Sequence, residues 1–215
     1  MREDCSALLL AGGQSSRMGT PKAWLPFAGR PLLVHLVERL EALAAEVLVV
    51  GAPDQSLPET AARVVTDATP GEGPLAGLAA GLQAATRPLA CVASCDLPFL
   101  NPRVVEYLLS LADDVDAVVP EWEGLRNPLH AVYRTTLGIR AVELLGQGVR
   151  RPIALCDPDR TRIVSEAEIR RLDPEGRSFL NMNTPEEYIR ALELWEQYYG
   201  PYGGSGRIAP DQSKV

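Results

Sequence analysis

Apolar runs and amphipathic stretches take turns along the first two thirds of this chain, and that alternation limits what it can fold into. Runs at residues 6–10, 46–50, 63–65, 89–94 and 117–120 read as strands, several of them apolar on both faces. Helical patterns lie between them at about 31–44, 75–85 and 102–112. Strands that hide both faces, separated by helices, pair in parallel and are covered on each side. The expected fold is α/β: a single-domain, mostly parallel sheet flanked by helices on both faces, of the Rossmann-like kind. Ligands of such sheets bind beyond the carboxyl ends of the strands. The loops after Leu10 and Ser94 are therefore expected to share one cleft.

Past residue 120 the pattern weakens. Residues 130–133 resemble a strand, 135–145 a helix and 163–165 a short strand. Thr184-Pro185-Glu186-Glu187 is a capping box with proline at the first helical position, opening a helix to about Tyr198. With 215 residues the chain suits one domain, expected over 1–199. Residues 200–215 carry too few apolar side chains to pack and are expected to form a disordered tail.

A net charge of −7 and a pI near 5 speak against a nucleic-acid partner. The charge is uneven, since residues 126–190 hold eleven arginines against nine carboxylates. That balance would suit a phosphorylated substrate, as it would an ordinary solvated surface. The four cysteines have no zinc-like spacing and no C-x-x-C pair, which reads as reduced thiols. No apolar run approaches membrane-spanning length and no leader-like segment precedes the first strand, so a cytoplasmic protein with no membrane partner is expected.

The first strand ends in Leu10-Ala11-Gly12-Gly13, followed by a polar loop with Arg17, Gly19 and Lys22. Glycines there let backbone N–H groups approach a ligand, while a guanidinium fork and a compact ammonium can hold phosphate oxygens. The same residues would also serve a plain glycine-rich strand-to-helix turn with two solvated cations. The spacing fits neither G-x-x-x-x-G-K-[ST] nor G-x-G-x-x-G. Of the 21 basic residues only Lys22 and Lys214 are lysines, so an ammonium in this loop stands out. Asp96 follows the strand at 89–94, where a carboxylate could hold Mg²⁺ facing a phosphate loop or merely cap the next turn. His35 falls mid-helix and reads as structural, and neither histidine makes a nucleophile constellation with a neighbouring Ser or Cys.

The string L-A-G-G-x-S-x-R-M-G-x-x-K at 10–22 resembles the signature loop of the molybdenum cofactor guanylyltransferase family. The resemblance continues through D-x-x-x-G-x-G-P-L-x-G-L at 67–78, Cys95-Asp96-Leu97-Pro98, Asn127-Pro128-Leu129-His130-Ala131-Val132-Tyr133 and Asn181-Met182-Asn183-Thr184-Pro185. These five ordered motifs cover roughly residues 6–197. The resemblance implies a nucleotide site of Leu10, Ala11, Gly12, Gly13, Lys22, Gly51, Asp67, Gly73 and Asp96. It implies catalytic roles for Lys22, Asp96 and Arg17, Mg²⁺ on Asp96, and acceptor contacts by Asn181 and Asn183. The implied reaction moves GMP from GTP to Mo-molybdopterin, with molybdoenzymes or their chaperones as transient partners. CTP transfer to the same acceptor, transfer to another phosphorylated metabolite, and a non-catalytic nucleotide sensor are the alternatives.

Departures from the family's pattern are Pro21, where an Asp often precedes the loop lysine, and Gly51-Ala52-Pro53, where an Asn often follows the second strand. The second departure leaves one base or ribose contact to the backbone. The tail after Gly200 has no counterpart.

Overall fold

The chain begins in strand β1 (Arg2–Leu10), whose residues 5–10 are all buried. The structure, a computed structural model, describes residues 2–12, 20–67, 69 and 71–200. A 3₁₀ turn at Lys22–Trp24 leads to a two-residue hairpin, β2 (Pro26–Phe27) and β3 (Arg30–Pro31), and then to α1 (Leu32–Glu41). Next come β4 (Ala44–Gly51), β5 (Arg63–Thr66), α2 (Pro74–Ala84), β6 (Leu89–Ser94) and α3 (Pro102–Ser110). The remainder is β7 (Ala117–Trp122), β8 (Leu125–Arg126), β9 (Ala131–Arg134), α4 (Leu137–Gly146), β10 (Thr161–Val164), α5 (Glu166–Ile169) and α6 (Pro185–Tyr199).

One sheet runs in the order β10-β7-β9-β6-β1-β4-β5, with β8 on the edge of β7. β1 pairs in parallel with both β4 and β6, and β4 in parallel with β5. β9 is antiparallel to β6 and to β7, so the sheet is mostly parallel with one reversed central strand. The chain leaves β1 for β4 on one side and returns to β6 on the other. The carboxyl end of β1 is thus the point where strand order reverses, and there crevices form.

Alternation along β1 sorts the core into two layers. Ala7 and Leu9 face a cluster that includes Leu33 and Leu36 of α1, Val104 and Leu108 of α3, Ile169 and Ala191. Leu8 and Leu10 face the opposite cluster with Leu75, Leu78 and Leu82 of α2 and Leu137 and Ala141 of α4. Burial on both faces is what requires helices on both sides. Helix starts follow their residues: Asn101 accepts from the Arg103 N–H at 3.0 Å, and Pro102 and Pro185 occupy first turns. The Thr184 hydroxyl accepts from the Glu187 N–H, and the Glu187 carboxylate returns to the Thr184 N–H.

The boundaries differ from the sequence reading where neighbours decide them. β1 starts at Arg2, because Arg2 already pairs with Ala44. The first helix ends at Glu41, and Ala44 belongs to β4. The short strand expected at 163–165 is shifted to Thr161–Val164, because Ser165 turns aside to cap α5. Asn127, in one of the motifs that carry the family resemblance, donates its side-chain N–H to the Leu125 carbonyl at 2.8 Å in the turn after β8.

Both histidines are core residues. His35 lies in α1 with Nε2 3.1 Å from the Pro98 carbonyl oxygen, and His130 packs edge-on against Phe179. Both ring nitrogens of His130 are buried without a hydrogen-bond partner among the described residues. Burial pushes both imidazoles down, His35 to about 3, aided by the Arg39 charge, and His130 to about 4, against the opposing pull of Asp173. A folded value below the unfolded one, about 6.5, means stability is complete above that pH and is lost as pH falls through the folded values. Urea melts from pH 7 to 4.5 should therefore lose about 1.4 kcal/mol per pH unit for each imidazole held neutral. His130→Leu should remove one of these proton linkages and raise stability at pH 7 by about 1–3 kcal/mol, since it deletes unpaired buried polar atoms. An unchanged pH slope in His130→Leu would contradict this account.

Candidate active site

The site is assembled by pairing of β1 with β6. Leu10 lies opposite Ser94, and the Cys95 N–H donates to the Leu10 carbonyl at 3.0 Å. The glycine loop and the Asp96 loop therefore leave the sheet side by side. The turn after β6 is closed by the Leu97 N–H on the Ser94 carbonyl, 3.1 Å. The Asp96 carboxylate caps nothing among the described residues, so the simple turn-capping role does not account for it.

Lys22 opens the 3₁₀ turn beyond the glycine loop, and its Nζ donates to Asn183 Oδ1 at 2.7 Å. The same Nζ stands 3.9 Å from Asp96 Oδ2. Both side chains are largely covered, 20% exposed for Lys22 and 24% for Asp96. A backbone bond from the Met182 N–H to the Asp96 carbonyl, 2.9 Å, ties the segment before α6 to the Asp96 loop. Three distant stretches of sequence thus converge on one ammonium. The neighbouring Cys95 thiol is pushed up to about 12, mainly by burial and further by Asp96, with Lys22 opposing. It stays protonated and offers no nucleophile.

Asn183 is fixed from behind, since its own N–H donates to Glu187 Oε2 at 2.6 Å. α6 is fixed in turn by aromatic packing: Trp195 meets Phe27 at 5.2 Å and His35 at 4.9 Å, ring centre to ring centre. The Tyr188 hydroxyl donates to the Pro26 carbonyl. Asn181 does not join this group. It lines a cleft of about 230 Å³ between its own segment and α6, together with Arg190 and Leu194.

On the other side of β1, the loop after β4 closes over the strand ends. Ala11 donates its N–H to the Val50 carbonyl, 2.8 Å, and Asp67 donates its N–H to the Gly51 carbonyl, 2.8 Å. Asp67 Oδ1 accepts from the Thr69 N–H at 2.9 Å, so the acid both shapes its own turn and stands next to Gly51. Gly73, at φ +87°, starts α2, and a Cβ there would press on Arg150 Cβ at 3.3 Å. Leu10, Ala11, Gly12, Gly51, Asp67 and Gly73 all lie along the carboxyl edge of the sheet or the helix start beside it. A Cβ on Gly12 would meet no described atom within 4 Å. Gly13 and Arg17 lie outside the described residues.

Two features of this edge were absent from the sequence reading. Trp24 donates its indole N–H to the Ser56 carbonyl at 3.0 Å, and Gln55 folds its amide back onto Ala11 and Ala52. The glycine at 51 is the one sequence signal for the second, because a Cβ there would come within 3.1 Å of Gln55 Oε1. No group of three or more His, Cys, Asp or Glu side chains able to enclose a metal occurs among the described residues. No described helix is long and apolar enough to cross a membrane.

Known proteins share this sequence and this architecture. A "probable molybdenum cofactor guanylyltransferase" of Mycobacterium avium is 38% identical over 194 residues, covering 87% of this chain and 94% of the relative. The protein of the same name in Mycobacterium tuberculosis is 42% identical over 166 residues, 74% of this chain and 83% of the relative. The crystal structure of molybdopterin-guanine dinucleotide biosynthesis protein A from Archaeoglobus fulgidus superposes with a TM-score of 0.74 at 24% identity, covering 89% of this chain and 99% of that one. A 2-C-methyl-D-erythritol 4-phosphate cytidylyltransferase from Thermus thermophilus shares the fold at a TM-score of 0.65 and 24% identity, over 87% of this chain and 96% of that one. The family model for the MobA-like NTP transferase domain matches residues 7–161, and the chain belongs to that family of nucleotidyltransferases.

Proposed function

We propose that this enzyme transfers the GMP moiety of GTP to the terminal phosphate of Mo-molybdopterin, releasing pyrophosphate. The observation that carries this reading is the Lys22 ammonium held between Asn183 and Asp96 where β1 and β6 end together. The names of the mycobacterial relatives supply the guanylyl group and the cofactor.

A phosphate oxygen of the acceptor is already anionic, so it needs no strong base to attack the α-phosphorus. One P–O bond forms there as the bond to the β-phosphate oxygen breaks, and pyrophosphate departs with the electron pair. What the chain must supply is alignment and positive charge where negative charge grows. Lys22 is fixed for that by Asn183, while Gly12 and Gly13 present backbone N–H groups and Arg17 a guanidinium to the phosphates. Asn183, and Asn181 farther along, take the acceptor side. Gly51, Asp67 and Gly73 line the base and ribose side.

A partly covered carboxylate that belongs to no larger group of metal-ligating side chains among the described residues suits Mg²⁺, which commonly takes one or two protein carboxylates and completes its shell with substrate phosphates and water. Asp96 would hold that ion, which when bound supplies further neutralisation of phosphate charge. The reaction is assigned to the cytoplasm, where four free cysteines persist. The dinucleotide product passes to molybdoenzymes or their chaperones.

Incubating the protein with GTP, CTP, Mg²⁺ and a molybdopterin source in one tube, then weighing the dinucleotide formed, tests the assignment. A guanine dinucleotide should dominate by at least roughly 100-fold. A cytosine dinucleotide as main product would overturn the base assignment, and no dinucleotide at all would overturn the reaction.

Asp96→Asn should lower turnover by about 100-fold or more, with partial recovery at raised Mg²⁺. Wild-type turnover in Asp96→Asn at ordinary Mg²⁺ removes the acid from the metal role.

Lys22→Ala should cost roughly 2–4 kcal/mol of transition-state stabilisation, read from kcat/KM. Lys22→Arg should recover only part of it, because a planar fork does not reproduce a point charge between Asn183 and Asp96. Full activity of Lys22→Arg would mean that charge alone suffices.

A further inference from the structure

We infer that Gln55 selects the base, and that it does so because both ends of its carboxamide are held in one orientation. The Ala52 N–H donates to Gln55 Oε1 at 2.9 Å, and Gln55 Nε2 donates to the Ala11 carbonyl at 2.9 Å. An N–H can only donate and a carbonyl can only accept, so these two partners leave one orientation of the amide. Turning it over would set two donors against each other at Ala52 and two acceptors at Ala11. The glycine at 51 makes room for the fold-back, since a Cβ there would lie 3.1 Å from Oε1. Trp24 holds the far side of the same loop through the Ser56 carbonyl.

The amide therefore sits against Ala11 and Gly51, and Gly51 with Asp67 is on the side that the reading above gives to the base and ribose. A carboxamide has two N–H donors and two acceptor lone pairs. Among the described residues Gln55 uses one of each, which leaves one N–H and one lone pair in fixed order. Guanine presents an acceptor, O6, next to a donor, N1–H, and completes that pair. Adenine and cytosine present an amine donor next to a ring-nitrogen acceptor, the reverse order. Facing Gln55 they would leave like groups opposed and unpaired, the arrangement by which a polar site rejects a near-isostere. A freely turning amide could not discriminate in this way, because it would accept either order.

Uracil gives an internal control. It presents a carbonyl next to a ring N–H in the same order as guanine, so Gln55 should not distinguish the two, and the size of the pocket must.

This inference rests on the guanylyl-transfer reading, and the test separates the two. The wild-type protein, Gln55→Leu and Gln55→Glu are compared for kcat/KM with GTP, ATP, CTP and UTP, and for melting temperature without nucleotide. Both variants should lower the GTP:ATP and GTP:CTP ratios by roughly 10- to 100-fold, the scale of one bidentate pair, while the GTP:UTP ratio changes little. Loss of loop order alone would depress all four nucleotides together and leave every ratio intact. That result, or preserved ratios with full activity, overturns the role of Gln55 while leaving guanylyl transfer standing. A wild-type protein that prefers CTP overturns the guanylyl reading and the guanine-reading role with it. If Gln55→Leu fails to fold, Gln55→Glu keeps the size and polarity of the side chain and decides the matter through the same ratios.

Discussion

Pairing of β1 with β6 is the contact on which the rest of the site hangs. The two strands are separated by almost eighty residues of chain, yet Leu10 and Ser94 end opposite one another. The ladder bonds between them would serve other registers equally, and apolar burial chooses this one. Leu8 and Leu9 are wholly buried, one toward each layer of helices, and a slip of one residue would exchange their faces. The register needed to bring the glycine loop to Asp96 is therefore enforced by apolar side chains that never touch a ligand. Precision at the carboxyl edge is inherited from the core.

The contact between residues 22 and 183 is built by a different route. The Lys22–Asn183 bond joins a largely covered ammonium to an exposed amide, and a contact of this kind at the edge of the molecule contributes little to stability. Its geometry is imposed by α6, whose Trp195 sits among Phe27, His35 and Phe99. The small hairpin β2–β3 carries Phe27 and receives the Tyr188 hydroxyl, so the hairpin just after the lysine also anchors the helix just after the asparagine. Ammonium and amide are thus held to one apolar block, which spares each of them most of the ordering cost.

How far the sequence could be read depended on how much structure a local pattern can carry. The parallel half of the sheet was legible because strands hidden on both faces are long apolar runs between amphipathic helices. The reversed strand β9 was visible as a strand but not as antiparallel, since direction is decided by the tight turn at Glu123–Gly124, both at positive φ, where the chain reverses out of β7. Two-residue strands such as β2 and β3 are too short to show a period. In the site, Lys22 stood out by rarity and Asp96 by its place after a strand. Gln55 gave no periodic signal, because its position depends on a side chain turning back over Gly51. Asn181 and Asn183 look equivalent in the sequence, yet only Asn183 reaches Lys22, and the packing of α6 makes the difference.

The bond between residues 22 and 183 also sets an order in time. As the chain emerges from the ribosome, β1, β4, β5 and β6 are all made about ninety residues before Asn183. The phosphate loop and its carboxylate would then exist before the asparagine that orients the lysine has been made. On the function proposed above, a nascent chain at that stage carries one half of a transferase, with the parts to hold a nucleotide and without those that deliver the attacking group. On the same reading, competence for transfer begins only when α6 docks and brings Asn183 to Lys22.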